Sequence, residues 1–234
     1  FEPIPLTCFD GVKNAGETDL DCGGPCARCE DGRSCQAVGD CQSAQCVTGI
    51  CSSCPIAKEL IINGGAEDGP APGMYLPGWA VNPQMTGLAY GTAGFLQASD
   101  PGPTTRGTYF FYGGATSTAT ATQGIDLTNC ARLIDKGALA YTASGWFGGF
   151  PGQDDNARLS VQFFDGQSRI QASSNLGPIL NSDRGGASAL VQRTSSADVT
   201  AGIRTVLVTL TATRTAGVSN DGYADNLSLI LNLK

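Results

Sequence analysis

Nine of the ten cysteines (Cys8, Cys22, Cys26, Cys29, Cys35, Cys41, Cys46, Cys51 and Cys54) fall within the first 54 residues, and Cys130 stands alone beyond them. Three chemistries use cysteines at such spacing. Zinc takes Cys-x2-Cys pairs, and Cys26 with Cys29 and Cys51 with Cys54 supply two. Thiol–disulfide catalysis uses the same pair but needs a βαβ scaffold, for which the sequence has no pattern. Disulfide bridging explains the density, and also the shortage of large apolar residues in this stretch, which leaves too little burial to offset chain ordering. Disulfides are therefore expected. An odd number in the first 54 residues leaves one cysteine over. Either Cys130 takes it, with Cys54 the favoured partner, or one cysteine links to another molecule or stays free.

Two further groups carry chemistry. Asp10, Asn14, Glu17, Asp19 and Asp21 crowd around Gly11 and Gly16. Closely spaced hard oxygen ligands at glycine turns are what calcium loops use, although the spacing is not that of an EF-hand. A calcium loop and a solvated acidic turn both remain open. Further along, "SGWFGGFPGQDDN" sets Trp146, Phe147 and Phe150 among glycines, followed by Asp154, Asp155 and Asn156. An exposed aromatic ring stacks on the apolar face of a sugar while carboxylates and amides bind its hydroxyls. Gly-rich aromatic segments also form sheet bends and packing contacts. As a glycosidase pair, Asp154 and Asp155 fail, because adjacent strand residues point to opposite faces.

The sequence contains no histidine, which removes Ser-His-Asp and Cys-His nucleophile systems and histidine metal sites. Net charge is −7, and residues 1–54 hold eight acidic against three basic side chains. No basic stripe suits nucleic acid. No run of 18 apolar residues could span a membrane as a helix. A chain opening at Phe1 with a disulfide pattern reads as an exported product whose signal peptide has been removed, placed outside the cell or at its surface.

The elements that must position these residues are strands. In "RTVLVTLTAT", Val206, Val208, Leu210 and Ala212 share one face, opposite Thr205, Thr209, Thr211 and Thr213. "ARLSVQFF" turns Ala157, Leu159, Val161 and Phe163 inward, and "NLSLILNL" does so with Leu227, Leu229, Leu231 and Leu233. Further strands are expected at 58–62, 89–97, 108–112, 118–126, 139–147, 168–173 and 187–193, with one helical turn near 130–136. Such a series argues for a mainly β fold, a jelly-roll β-sandwich over residues 55–234. It follows a loop-rich disulfide module at 8–54 and an extended arm at 1–7. Trp79 is expected in the core. In the arm, "FEPIPL" has prolines that permit an edge or an extended strand added to a neighbour's sheet; a frayed terminus is the other reading.

The stretch "CFDGVKNAGETDLDCGGPCARC" and the cysteines after it resemble a repeat of secreted bacterial and protist proteins with a DCGG-x-C-x-x-C core. That likeness implies an extracellular disulfide-bonded accessory module. The body opens with "ELIINGGAEDG", reaches "PGW" at Trp79 and closes with "NDGYADNLSLIL". This bracket resembles the carbohydrate-binding-module-like jelly rolls of the galactose-binding superfamily, with Ala66 where that pattern has Phe. The resemblance implies a structural calcium ion between the first and last strands, held by Glu67 and Asp225 with backbone carbonyls. The reading is a secreted, non-enzymatic structural or adhesive component of an extracellular surface layer, matrix or filament, with other copies of itself or other extracellular proteins as partners. The alternative is a stand-alone glycan-binding protein that uses the Trp146 segment.

Overall fold

The computed structural model describes residues 3–69 and 76–234; Phe1 and Glu2 of the arm lie outside them. Residues up to Cys54 contain only 3-10 turns and one two-stranded ribbon, β1 (Cys46–Val47) with β2 (Ile50–Cys51). Disulfides replace a core here: Cys8–Cys26, Cys22–Cys29, Cys35–Cys46 and Cys41–Cys51. The fifth bridge, Cys54–Cys130, ties the module to the body and leaves no cysteine free. The favoured pairing is therefore present, and no cysteine remains for a link between molecules.

The body is a jelly-roll sandwich of two five-stranded antiparallel sheets. Its strands are β3 (Ala80–Asn82), β4 (Thr86–Ala89), β5 (Tyr109–Tyr112), β6 (Thr118–Asp126), β7 (Leu139–Gly149), β8 (Asn156–Asp165), β9 (Ile170–Leu176), β10 (Ala189–Asp198), β11 (Ile203–Thr213) and β12 (Tyr223–Leu233). One sheet runs β10-β7-β12-β5-β4 and the other β3-β6-β11-β8-β9. Alternation decides which side chains meet. Ala157, Leu159, Val161 and Phe163 from β8 lie beside Val206, Val208, Leu210 and Ala212 of the neighbouring β11 and face Leu227, Leu229 and Leu231 from β12 of the other sheet, in one core. Each fully buried Leu, Val or Phe there contributes about 1.5–3 kcal/mol. Trp79 joins this core edge-on to Phe111 at 5.5 Å, and its Nε1 donates to the Asn63 carbonyl. The helical turn expected near 130–136 is α1 (Ala131–Asp135), which buries Leu133 and Ile134 and docks the module through Ile50 and Cys54.

Three expectations need correction. Residues 58–62 are not a strand: the segment touches β12 only through bridges at Ile56 and Glu59, because Glu59 Oε1 takes the Leu60, Ile61 and Leu229 N–H groups. Residues 89–97 are mostly a loop after β4, with Leu96 buried and Tyr90 and Phe95 half-buried. Tyr90, Phe95 and Leu96 pack with Phe110, Leu190 and Tyr223 into a second cluster outside the core, on the outer face of the β7-containing sheet. Arg106 pins this loop by donating to the Pro103, Gln97 and Asp100 carbonyls, and the Leu190 N–H donates to the Pro101 carbonyl. Leu233, expected inside, is 43% exposed where β12 ends.

Candidate functional site

The loop at 90–107 covers only part of that outer face. On the uncovered part, outward positions of three strands line a groove of about 460 Å³: Ser144 and Trp146 of β7, Gln192 of β10 and Ser228 of β12, with Asn226 and Thr105 at its edge. Trp146 is half-buried. One part of its ring packs on the outer aromatic cluster and the rest faces the groove. No lysine or arginine lines the groove, and Glu59, its one carboxylate, is occupied by N–H groups. The walls present hydroxyls and amides around one indole.

A bulge makes this geometry. Pairing of β12 with β7 slips between Asp225 and Ser228, where Asn226 adopts a left-handed φ of +47°. Asp225 therefore faces outward opposite Trp146, Leu227 returns to the core, and Ser228 faces outward opposite Ser144. Leu227 donates its N–H to the Gly64 carbonyl, an approach so close that a Cβ on Gly64 would collide with the Leu227 carbonyl.

Glu67 and Asp225 come together beside this bulge. A Cβ built on Gly65 would stand 3.5 Å from Glu67 Cγ and 3.6 Å from both Asp225 Oδ1 and Asn226 Oδ1. Asp225 is fully buried; its Oδ2 accepts the Tyr90 hydroxyl at 2.6 Å and its Oδ1 accepts the Asn226 N–H at 2.7 Å. Burial pushes its carboxyl up to about 6, with the Glu67 charge adding and the two hydrogen bonds and Arg106 opposing. Glu67 accepts the Thr108 and Tyr109 N–H groups, one on each oxygen. Asp225 Oδ1 and Asn226 Oδ1 stand beside Gly65 with the Glu67 Cγ, whereas the Glu67 carboxylate lies against Gly107, and Arg106 offsets part of the charge on Asp225. These two oxygens are of the hard kind that calcium takes.

The other expected site residues are dispersed. Phe147 is fully buried between the sheets and Asp155 is fully buried, so neither can touch a sugar. Asp155 instead accepts the Thr215 N–H and hydroxyl, the Ala216 N–H and the Asp221 N–H, fastening the turn before β12. Asp154 accepts the Asn181 N–H, and Asn156 donates to the Asp154 carbonyl. The Phe150 carbonyl accepts from buried Arg184. None of Phe150, Asp154 and Asn156 lines the groove. In the disulfide module each acid serves the backbone. Asp10 accepts Val12 N–H and Asn14 Nδ2, Asp21 accepts Gly11 N–H, Glu17 accepts Asn14 and Asp21 N–H, and Asp19 accepts Ser34 N–H. Among the described residues, no three of these carboxylates lie within 4.8 Å of one another. Sequence reasoning found Trp146 and missed Ser144, Gln192, Asn226 and Ser228. The alternation along β7, β10 and β12 contained the signal for all but Asn226, which depends on the bulge.

No protein-family model and no curated protein matches the chain. Solved structures resemble the sandwich weakly. The enzymatically active domain of bacteriophage CBA120 tailspike protein 4 gives a TM-score of 0.44 at 15% identity, over 75% of this chain and 21% of that one. Family 16 carbohydrate binding module-2 gives 0.41 at 20% identity, over 73% of this chain and 99% of that one. TmCBM61, solved with β-1,4-galactotriose, gives 0.44 at 11% identity, over 76% of this chain and 100% of that one. The chain thus spans about a fifth of the tailspike chain and essentially the whole of the two modules.

Proposed function

We propose that this chain is a non-catalytic glycan-binding protein whose ligand lies in the groove beside Trp146. One observation carries the reading: a half-buried indole turns part of its ring into a groove walled by the hydroxyls and amides of Ser144, Gln192, Asn226 and Ser228. Such a surface stacks on one face of a pyranose and exchanges hydrogen bonds with its ring hydroxyls. A glycan array followed by calorimetry on the bound saccharides tests this. Binding that Trp146→Ala abolishes while the variant stays folded, with a cooperative thermal melt, supports it. An array without hits, or full binding by Trp146→Ala, overturns it.

Calcium at Glu67 and Asp225 belongs to the same reading, with Asn226 Oδ1 as a third donor. When bound, the ion would neutralise the buried Asp225 carboxylate and fix the start of β12. Five disulfides, and no helix among the described residues long and apolar enough to cross a membrane, fit an extracellular setting. A subunit of an extracellular assembly is the weaker reading. With every cysteine paired within the chain, its remaining support is the exposed arm, where Leu6 is 89% accessible, continued by Phe9 of the module at 71%.

A further inference from the structure

The edge strands of the sandwich differ in how much unpaired backbone they offer. β3 and β4 are only three and four residues long, and β9 carries a register shift against β8 between Phe163 and Phe164. β10 runs for ten residues in unbroken register with β7. Two bonds fix which of its main-chain groups point outward. The Leu190 N–H donates away from β7 to the Pro101 carbonyl, whereas the Val199 N–H donates to the Leu139 carbonyl at the start of β7. These directions alternate along a strand, so the main-chain groups of Gln192, Thr194 and Ser196 also face outward. None of those three N–H groups has a partner among the described residues, and only the Gln192 carbonyl is covered, by Arg193 Nη1 at 3.1 Å. Native edges are usually blunted by proline, bulges or several charges. Between Leu190 and Asp198 this one has a single charge, Arg193, and the small residues Thr194, Ser195, Ser196 and Ala197.

The open run is its own complement. It is bounded by Leu190, which Pro101 occupies, and by Asp198, whose carboxylate pairs with Lys234 Nζ at 2.7 Å, and it is centred on Thr194. We propose that a second copy of this chain occupies it, with the two β10 strands antiparallel about a two-fold axis through Thr194. Gln192 then lies opposite the partner's Ser196, and Thr194 opposite the partner's Thr194. Residues so paired share a face, and their outward groups exchange roughly six hydrogen bonds once Arg193 releases the Gln192 carbonyl. The two sheets become one. On its outer face, the row from Trp146 to Gln192 continues into the partner's Ser196 and the partner's Thr142, which within each chain are opposite one another and joined at 3.1 Å. The partner thus extends the groove floor past Gln192, and the two Trp146 rings stand about 20 Å apart on one face. A polymeric ligand that reaches both makes its second contact at a raised effective concentration. Because a two-fold contact closes on itself, it makes a dimer rather than a filament. The interface is independent of what fills the groove; only the shared face rests on the glycan reading above.

Sedimentation equilibrium on the intact disulfide-bonded chain tests this. The wild type rises from 24.0 kDa toward twice that mass as concentration increases. Thr194 meets its own copy on the axis, so a charge placed there meets itself. Thr194→Lys and Thr194→Glu, on an exposed edge, each weaken the dimer about fivefold, and an equimolar mixture of the two restores it. Thr194→Pro removes the central outward N–H, which makes no bond to β7, and abolishes the dimer while the monomer stays folded. Amide exchange needs no variant: the Gln192, Thr194 and Ser196 N–H groups slow as the dimer fills. A wild type that stays at 24.0 kDa up to about 1 mM overturns the second copy as occupant and leaves the edge to a strand of another protein. A dimer that neither charge weakens, or that the mixture fails to restore, overturns the proposed axis. So does a doubled mass with those three amides still exchanging fast.

Discussion

Replacing Asp225 by asparagine should stabilise the calcium-free protein at neutral pH. The Asp225 carboxyl titrates at about 6 in the fold against an ordinary 3.8, because it is buried beside Glu67. A folded-state value above the unfolded one means that the native chain holds the proton more tightly. Stability is then highest below 3.8, falls as pH rises toward about 6, and stays low above it. At pH 7 the loss amounts to about 3 kcal/mol. Asparagine removes the charge and keeps one oxygen for the Tyr90 hydroxyl, but gives up the second acceptor, a cost of about 1 kcal/mol. Urea melts in EGTA should therefore place Asp225→Asn about 2 kcal/mol above the wild type at pH 7. That advantage should vanish by pH 4. Calcium should invert the order, because an ion at a hundredfold excess over its Kd adds about 2.7 kcal/mol to the wild type and nothing to the variant. A wild type and variant that run parallel from pH 4 to 7 in EGTA would refute the burial argument, as would a variant weaker than the wild type at pH 7. A variant that keeps the full calcium response would refute the assignment of Asp225 as a ligand.

Three other outcomes follow from the geometry. Removing the Cys54–Cys130 bridge with a double alanine variant opens a sequence separation of 76 residues, for which loop entropy gives a loss of about 4.5 kcal/mol; a thermal melt within a degree of the wild type would contradict this. Phe147→Ala should cost about 3–5 kcal/mol in chemical unfolding, while its half-buried neighbour Trp146→Ala should cost clearly less and also change binding; equal losses in both would mean that Trp146 is also core. The Asp165 carboxyl is held down to about 2, chiefly by the Arg169 N–H, so its stabilisation is complete above 3.8 and lost as pH falls through 2. Asp165→Asn should flatten that part of the acid unfolding curve, and an unaltered acid limb would sink the assignment.

Strands with clean alternation were legible because burial on one face writes itself into the sequence. β8 and β11 carry their inward residues as the period-two pattern requires. The run at 89–97 misled for the opposite reason: a loop covering a second apolar cluster acquires the same composition without any ladder of hydrogen bonds. Trp146 and Phe147 could have been separated in advance. The parity that disqualifies Asp154 and Asp155 as a pair also sends two adjacent aromatics to opposite faces. The Asn226 bulge was not legible, since a left-handed residue inside a strand leaves no periodic trace, and it alone decides that Asp225 and Ser228 both face outward.

The Cys54–Cys130 bond also determines how the molecule carries load. Tension between the N-terminal module and the C-terminus crosses from Cys54 to Cys130 through the sulfurs and continues through α1 to the start of β7. The 75 residues between those two cysteines form a closed loop in parallel with the bond and bear no stretch while it is intact. That loop contains Glu67, Tyr90, Thr105 and the segment over the outer aromatic cluster. Trp146, Gln192 and Asp225 are shielded as well, because the load crosses from β7 to β12 at its first rungs, where the Lys234 N–H donates to the Ala138 carbonyl and Leu233 lies opposite Leu139. Tension between the module and the C-terminus therefore peels these rungs before it reaches either wall of the groove.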